Sequence, residues 1–363
     1  MKKLLLLIAF SMLLLCAACG NKANPTGNNV NEQGQGSILP AFQYEDLALP
    51  ENLTNADHLF CCYSDAKYTL LSVCSDNGRQ FGPLSKTDSI FLRDIAGGMQ
   101  YFTVATDAYI TSAVPHKDGV LYVDYEEYAD GSVKWSIVYT DGETHTTLDS
   151  GSAVSYDRIP YLFKVGSNTY YIWEDSAGFG VDLINNTDTE CVIRRTDCAL
   201  TAVTAYSNAE QYYFIVSYSH LPYATFVVCN TEGVVYEHTL GGKITSCTIA
   251  DTYAVCGVGN EETGECWLEL IDLSTGQKSV IRLPYRALYA LRGNGEDCVC
   301  VDSFWNPYYV SLSNKSISPM PSAAGASTGI SNLFYPVGPG KFFVMLQNQD
   351  GYRFYHLTLS GNS

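Results

Sequence analysis

Apolar runs rich in Tyr, Val and Ile alternate with clusters of Gly, Asn, Asp and Ser along most of the chain. The runs are short, and no stretch beyond the N-terminus sustains the 3.6-residue period of an amphipathic helix. The 27 Tyr and 15 Phe residues add to this pattern, because aromatic side chains favour strands. The sequence therefore predicts an all-β fold of short strands joined by turns.

One strand-like run recurs at a nearly constant spacing of 41 to 49 residues from its second copy onward. Its copies begin at His58, Val120, Thr169, Tyr212, Tyr253, Cys298 and Phe342. Another apolar run and a tight turn precede most copies, and two further runs follow. Four antiparallel strands in a repeat of about 40–45 residues are typical of one blade of a β-propeller.

The chain thus resembles the β-propeller superfamily over residues 41–363. Its blades are most similar to those of quinoprotein-like and surface-layer-type propellers, which end in a strand and turn like Leu270 to Gly276. The Gly-His and Trp-Asp dipeptides of WD repeats are missing from the sequence, so the resemblance identifies no specific family. Seven repeats predict a seven-bladed ring of four-stranded blades, with six or eight blades as the alternatives.

The two ends of the repeat array are irregular. The gap of 62 residues from His58 to Val120 is too long for one blade, and it predicts an insertion at about residues 84–108. The last repeat ends after its third strand, near Leu359. A strand at about Phe42 to Leu49 would complete that sheet, close the ring and remove its exposed edges.

The first twenty residues have the composition of an export signal. Two lysines precede an uncharged apolar run from Leu4 to Leu15, which is too short to span a bilayer comfortably. The run ends in Cys16-Ala17-Ala18-Cys19-Gly20, which resembles the cleavage box of bacterial lipoprotein precursors, although that box prefers an aliphatic residue in place of Cys16. The resemblance implies a signal peptide over residues 1–18 and a diacylglyceryl thioether on Cys19. An ordinary secretory signal is the alternative.

Residues 19–40 are rich in Asn, Gln and Gly and nearly free of apolar side chains. Such a segment buries too little surface to fold, and we expect a flexible tether. The sequence therefore predicts an extracytoplasmic domain anchored in the cell membrane through Cys19. It would lie on the cell surface, or on the periplasmic side of a membrane in a Gram-negative source.

Composition and motifs disfavour several function classes. A net charge of −17 repels phosphate backbones and disfavours nucleic-acid binding. The six histidines form no HxH or HxxxH pair, and neither a GxSxG elbow nor a phosphate-binding glycine loop is present. We therefore expect no metal, no cofactor and no assigned catalytic residue, and we expect a monomer.

The cysteines do not have the pattern of a disulfide framework. Without Cys16 and Cys19, the 13 cysteines become an odd 11, which cannot all pair. We expect most of them to be small buried hydrophobic residues in strands. Cys247 and Cys256 lie symmetrically about a turn and are placed to face each other across a hairpin.

Acidic and aromatic residues cluster where the second strand of each repeat ends, and these ends share one face of an antiparallel ring. Aromatic rings flanked by carboxylates suit sugar rings or cationic groups. Trp305 and Tyr125 are the strongest single candidates, because both are expected in loops. The alternative interpretation is that loop ends are polar in any acidic protein. The candidate binding face comprises Tyr125, Glu126, Glu127, Trp173, Glu174, Asp175, Tyr218, His220, Glu261, Glu262, Asp302, Phe304 and Trp305.

The sequence favours a lipid-anchored surface propeller that binds a protein, peptide or glycan through this face without catalysis. One alternative is a carbohydrate-active hydrolase or lyase that uses two of the face carboxylates. Another is a scaffold subunit of a membrane-associated complex, in which the ring serves only as a docking plate.

Overall fold

A computed structural model of the chain provides the three-dimensional description. It describes residues 40–48, 58–74, 87–94, 99–102, 104, 110, 112–155, 158–185, 188–207, 212–220, 223–260, 263–283, 287–295, 297–321, 323, 331–348 and 351–360. The predicted signal peptide, the predicted lipidation site Cys19 and nearly all of the predicted tether lie outside these residues.

The described residues form 28 strands in seven four-stranded antiparallel sheets, so the predicted all-β fold of four-stranded blades is confirmed. The strands of the first half are β1 (Ala41–Asp46), β2 (His58–Ser64), β3 (Tyr68–Cys74), β4 (Thr87–Asp94), β5 (Met99–Phe102), β6 (Ala113–His116), β7 (Gly119–Glu127), β8 (Val133–Thr140), β9 (His145–Ala153), β10 (Tyr161–Val165), β11 (Asn168–Asp175), β12 (Gly178–Asn185), β13 (Asp188–Thr196) and β14 (Ala199–Ser207). Those of the second half are β15 (Tyr212–His220), β16 (Tyr223–Asn230), β17 (Gly233–Leu240), β18 (Lys243–Ala250), β19 (Tyr253–Gly259), β20 (Cys266–Asp272), β21 (Lys278–Leu283), β22 (Tyr289–Asn294), β23 (Asp297–Val301), β24 (Pro307–Ser311), β25 (Ser316–Pro319), β26 (Ser331–Gly338), β27 (Lys341–Asn348) and β28 (Gly351–Ser360).

Successive strands along the chain are neighbours in each of the first six sheets, which begin at β2, β6, β10, β14, β18 and β22. The first strand of each sheet contacts the first strand of the next sheet, and β26 of the seventh sheet contacts β2 of the first. The sheets therefore radiate as blades from a ring of seven inner strands around a central channel. Their number agrees with the seven repeats in the sequence.

The seventh sheet joins the two ends of the chain. Its order is β1-β28-β27-β26, and β1 pairs antiparallel with β28 from Ala41 opposite Ser360 to Asp46 opposite Tyr355. The Phe42 ring also packs edge-on against Tyr309 of the sixth sheet, with ring centroids 5.9 Å apart. The prediction that an N-terminal strand closes the ring is confirmed.

The first repeat was assigned wrongly by one strand. The run at His58 is the inner strand β2, and the second strand of the first sheet is β3, ten residues later. The predicted insertion at residues 84–108 is also wrong, because β4 and β5 lie there as the third and fourth strands of this sheet. The inner and second strands of a sheet are both covered by the neighbouring sheets, so both are apolar. The hydrophobic pattern alone therefore does not distinguish them.

Adjacent blades are joined by apolar packing and by hydroxyl groups. Phe226 and Val228 of the fourth sheet pack with Ile249 and Cys256 of the fifth in one buried cluster. Between inner strands, the backbone N–H of Leu291 donates to Ser246 Oγ at 2.9 Å, and that of Gly293 donates to Thr248 Oγ1 at 2.8 Å. These bonds satisfy buried N–H groups that have no partner within their own sheet.

Gly293 is required where two inner strands approach most closely. A Cβ atom at this position would lie 2.0 Å from the carbonyl oxygen of Ile249 on the neighbouring strand β18. Any larger residue would push the fifth and sixth blades apart, because both contacting groups are backbone.

The two ends of the blades form different surfaces. The connections between second and third strands, such as residues 128–132 and 302–306, lie at the same end as the connections from each sheet to the next. We call this end the loop face. The turns between first and second strands, such as residues 65–67 and 251–252, lie at the opposite end with those between third and fourth strands. We call that end the turn face.

Ten cysteines among the described residues are outside any disulfide bond, and seven of them are buried. Cys247 and Cys256 lie directly opposite each other on β18 and β19, as predicted. Burial raises the pKa of Cys247 to about 12, which keeps its thiol protonated and unreactive. No helix among the described residues is long and apolar enough to span a bilayer.

Candidate functional site

The loop of residues 302–306 joins β23 to β24 on the loop face, and a buried carboxylate organises it. Asp302 is only 2% exposed. Its Oδ1 accepts the backbone N–H groups of Phe304 at 2.8 Å and Asn306 at 3.0 Å, and the Asn306 Nδ2 donates to its Oδ2 at 3.0 Å. Asp302 was predicted to be part of a binding face. The structure instead uses its charge to fix the shape of the loop.

This loop presents Phe304 to solvent and turns Trp305 inward. Phe304 is 63% exposed, the second highest exposure among the large hydrophobic side chains described. Trp305 packs against the buried cluster between the sixth and seventh sheets, and its φ of 63° lies in the left-handed region that bulky residues rarely adopt. Of the two aromatic residues that the sequence assigned to the binding face in this loop, Phe304 is the one exposed to solvent.

Two other predicted aromatic residues belong to the core. Tyr125 lies within β7, is 7% exposed and packs in the cluster that contains Trp135. Tyr218 lies within β15, is 6% exposed and donates its hydroxyl proton to Glu237 Oε1 at 3.0 Å. The prediction that Tyr125 is a loop residue is wrong, because β7 continues through this position to Glu127. Of its neighbours, Glu126 and Glu127 are exposed at the loop-face end of that strand.

Trp173, Glu174 and Asp175 form a cluster whose charges are already paired. The Arg194 guanidinium lies 4.6 Å from the centre of the Trp173 ring, and its Nη2 contacts Asp175 Oδ2 at 2.7 Å. Burial acts to raise the pKa of Asp175, but the hydrogen bonds from Arg194 and nearby backbone groups hold it below its ordinary value. Asp175 Oδ1 also accepts the backbone N–H groups of the following turn.

Glu174 connects the third blade to the fourth. Its Oε1 accepts hydrogen bonds from Arg158 and, at 3.0 Å, from the backbone N–H of Leu200 on β14. The predicted carboxylates of this blade therefore have structural partners. His220 ends β15 at the loop face. Glu261 and Glu262 lie outside the described residues.

A carboxylate pair that the sequence did not indicate lies between the second and third blades. The Tyr171 hydroxyl is 2.5 Å from Asp149 Oδ2 and 2.9 Å from Asp182 Oδ2. Asp182 is 9% exposed, and the pair lies against the core cluster of these blades rather than on a face. Its position indicates that these hydrogen bonds hold the second and third blades together. One strand of the second blade and two strands of the third meet here, which spacing within one repeat cannot reveal.

Exposed apolar side chains are concentrated on the loop face. Tyr128 and Phe304 lie in its connections, Val154 follows the end of β9, and Tyr161 begins the inner strand β10 there. The three other large exposed hydrophobic residues, Val234, Val235 and Val280, belong to the outermost strands β17 and β21. Within the described parts of the chain, no turn-face connection exposes a large hydrophobic side chain. The sequence did not single out Tyr128, although it directly precedes the turn residues Ala129-Asp130-Gly131.

The described residues contain no group of three or more His, Cys, Asp or Glu side chains able to hold a metal ion. The Asp302 carboxylate accepts hydrogen bonds from its own loop.

The fold resembles solved β-propeller structures at very low sequence identity. YCF48 from Cyanidioschyzon merolae gives a TM-score of 0.54 at 10% identity, covering 87% of this chain and 98% of that one. The β-propeller domain of Cps50 (Swd1) from Myceliophteria thermophila gives 0.52 at 9% identity, covering 84% and 98%. A prolyl endopeptidase gives 0.51 at 11% identity, covering 81% of this chain and 47% of that one. These likenesses show the β-propeller fold alone.

No protein-family profile and no curated protein sequence matches the chain.

Proposed function

We propose that this protein is a lipid-anchored β-propeller that binds an extracytoplasmic protein, peptide or glycan through its loop face, without catalysis. The supporting observation is the concentration of exposed apolar side chains on that face, with Phe304 as its most accessible aromatic ring. Exposed aromatic residues in a fixed loop are typical of binding hot spots, because they bury large areas at little entropic cost.

The path of the chain places the tether and the loop face at opposite ends of the ring. β28 begins at the loop face and ends at the turn face, and Ala41 pairs with Ser360 at the end of that strand. The chain therefore enters the ring at the turn face. A membrane anchor on Cys19 would therefore be connected to the ring at the turn face, so the loop face lies at the end of the ring opposite the point of attachment.

Partner binding by the loop face is tested by comparing two variants of the full-length protein. Phe304→Ala removes the exposed ring, and Gln277→Ala changes an exposed residue in the turn-face connection between β20 and β21. Each protein is purified from detergent-solubilised membranes, and co-purifying proteins are quantified by mass spectrometry. In parallel, each is applied to an array of cell-wall and dietary glycans.

We expect at least one protein or glycan that binds the wild-type protein and Gln277→Ala but is lost with Phe304→Ala. Truncation of a hot-spot aromatic residue costs about 2 kcal/mol or more, which is roughly a thirtyfold loss of affinity. A partner retained equally by all three proteins contradicts the assignment of the face. Loss with Gln277→Ala alone would assign the partner to the turn face.

A further inference from the structure

One face of the third sheet carries polar atoms that the fold leaves without hydrogen-bond partners. Five buried side-chain atoms among the described residues have no partner, and three of them lie on this face: Trp173 Nε1, Arg194 Nη1 and Asp182 Oδ1. Buried polar groups are nearly always paired, because an unpaired group loses its hydration without compensation. Three such atoms on one face of a single sheet indicate that a polar molecule binds there.

The strand register brings the three side chains together. Trp173 lies opposite Gly180, and Gly180 lies opposite Arg194. Asp182 follows two residues after Gly180, so its side chain leaves β12 on the same side. The Trp173 ring lies over Gly180, since a Cβ atom there would be 2.9 Å from Nε1 of that ring. The Arg194 guanidinium is 4.6 Å from the centre of the same ring. The three unpaired atoms therefore belong to neighbouring side chains.

The hydrogen bonds that these residues do make hold them in place. Arg194 Nη2 contacts Asp175 Oδ2 at 2.7 Å, and Asp182 Oδ2 accepts the Tyr171 hydroxyl at 2.9 Å. Arg194 and Asp182 each use one end of their polar group for the fold and leave the other end unpaired. Asp182 is only 9% exposed, so its carboxylate is fixed before a ligand arrives.

The site lies between the second and third blades, near the loop face. The Tyr171 hydroxyl also contacts Asp149 of the second blade, so this face of the third sheet packs toward that blade. Trp173, Gly180 and Arg194 are each two residues from the loop-face end of their strand. The Arg194 side chain is 33% exposed, which gives the site access to solvent.

We propose that Trp173, Asp182 and Arg194 form a binding site for hydroxyl groups of a sugar. A hydroxyl both donates and accepts hydrogen bonds, so it matches a set of two N–H donors and one carboxylate acceptor. A sugar hydroxyl donates to Asp182 Oδ1, and the same or a neighbouring hydroxyl accepts from the N–H groups of Trp173 and Arg194. This inference rests on the proposed function, because it selects a glycan among the partners of the loop face.

The same atoms fit other ligand classes less well. The charge of Arg194 is already paired with Asp175, and the Asp182 carboxylate repels an anion. Two of the three unpaired atoms are N–H donors, which cannot bind a metal ion, and the described residues hold no metal-binding group of three side chains. A water molecule also donates and accepts, so occupation by water alone is the outcome that the experiment has to distinguish.

The full-length protein is purified in a detergent without a sugar head group and is titrated with cellotriose, maltotriose and chitotriose. Tetraethylene glycol dimethyl ether is the control ligand, because it accepts hydrogen bonds but donates none. Binding is followed by tryptophan fluorescence and by melting temperature, which a ligand of the folded state raises in a saturable way.

We expect saturable binding of at least one trisaccharide and no binding of the ether. Asp182→Asn should weaken the binding about tenfold or more, since it removes a charged hydrogen-bond acceptor. Asp149→Asn is the matched control, because it changes the other carboxylate at the Tyr171 hydroxyl and none of the three unpaired atoms. It should bind the trisaccharide as tightly as the wild type does.

Arg194→Lys and Trp173→Phe each remove one unpaired N–H group, so they test the site even if Asp182→Asn fails to fold. Each should weaken sugar binding severalfold without changing the far-ultraviolet circular dichroism spectrum. The inference is overturned if no trisaccharide binds the wild-type protein, which would leave water as the occupant, or if the ether binds equally well.

The inference is also overturned if a folded Asp182→Asn protein, or both of the other variants, bind as tightly as the wild type. Equal weakening by Asp149→Asn would assign the effect to the contact between the blades and would overturn it too. If no sugar binds but a protein partner is lost with Phe304→Ala, this inference fails and the proposed function stands.

Discussion

At the scale of single residues, Asp302 is a carboxylate that the fold uses to build a loop. It is buried and accepts hydrogen bonds from three donors of residues 304–306. Removing a buried acceptor leaves these donors unpaired, so Asp302→Ala should lower the free energy of unfolding by about 1–3 kcal/mol. Asp130→Ala is the control, since Asp130 caps an exposed turn through Ser132. Equal melting temperatures for the two variants would contradict this role.

His116 predicts a dependence of stability on pH. Burial, followed by the charges of Lys117 and Lys164, lowers its pKa below the ordinary value of 6.5. The unfolded chain therefore takes up a proton near pH 6.5 while the folded protein does not, and stability falls as the pH drops below that value. The fall ends once the pH is below the pKa in the folded protein.

His116→Gln should make the difference in melting temperature between pH 7.5 and pH 5.5 smaller than in the wild type. His145→Gln is the control, because His145 is exposed on β9. If the His116 variant shows the same pH dependence as the wild type, burial of His116 does not contribute to acid sensitivity.

At the scale of elements, β1 is the strand that completes the ring. It pairs along its whole length with β28, and the Tyr44 hydroxyl donates to the carbonyl oxygen of Pro321 at 3.0 Å. Deleting residues 41–46 removes the outermost strand of the seventh sheet and exposes the edge of β28. We expect a large drop in melting temperature and a tendency to aggregate.

Deleting residues 22–38 is the matched control for the loss of β1. These residues are predicted from composition to be a tether, and a segment that buries little surface contributes little stability. We expect a melting temperature close to that of the full chain. A large drop with this control deletion would show that the segment packs on the ring, and equal stability without β1 would contradict the closure.

Much of the architecture could be predicted from element patterns, because each repeat carries the same order of strands and turns. The second strands from β7 onward and the closing strand at Phe42 were found in this way. The strand assignment of the first repeat was wrong because β2 is as apolar as a second strand. The roles of Tyr125, Phe304 and Trp305 could not be predicted, since strand length and loop conformation decide which ring is exposed.

At the scale of the whole molecule, the proposed lipid anchor lies on Cys19, at the other end of the predicted tether from the ring. Cys19 follows an apolar run and two small residues, which resembles a lipoprotein cleavage site. Cys19→Ser should move the protein from the membrane fraction to the soluble fraction, because two acyl chains give stable anchoring and none remains in the variant. Fractionation followed by immunoblotting measures the shift. A variant that stays in the membrane fraction would contradict lipid anchoring.

The central claim is that a partner binds at the loop face. It is tested most directly by placing a photoreactive phenylalanine analogue at position 304 in the full-length protein in intact cells, and at position 277 as the turn-face control. Illumination should give a discrete adduct of higher mass from position 304 and none from position 277, and excess purified protein should suppress it. An adduct from position 277 alone, or no adduct from position 304, would contradict the claim.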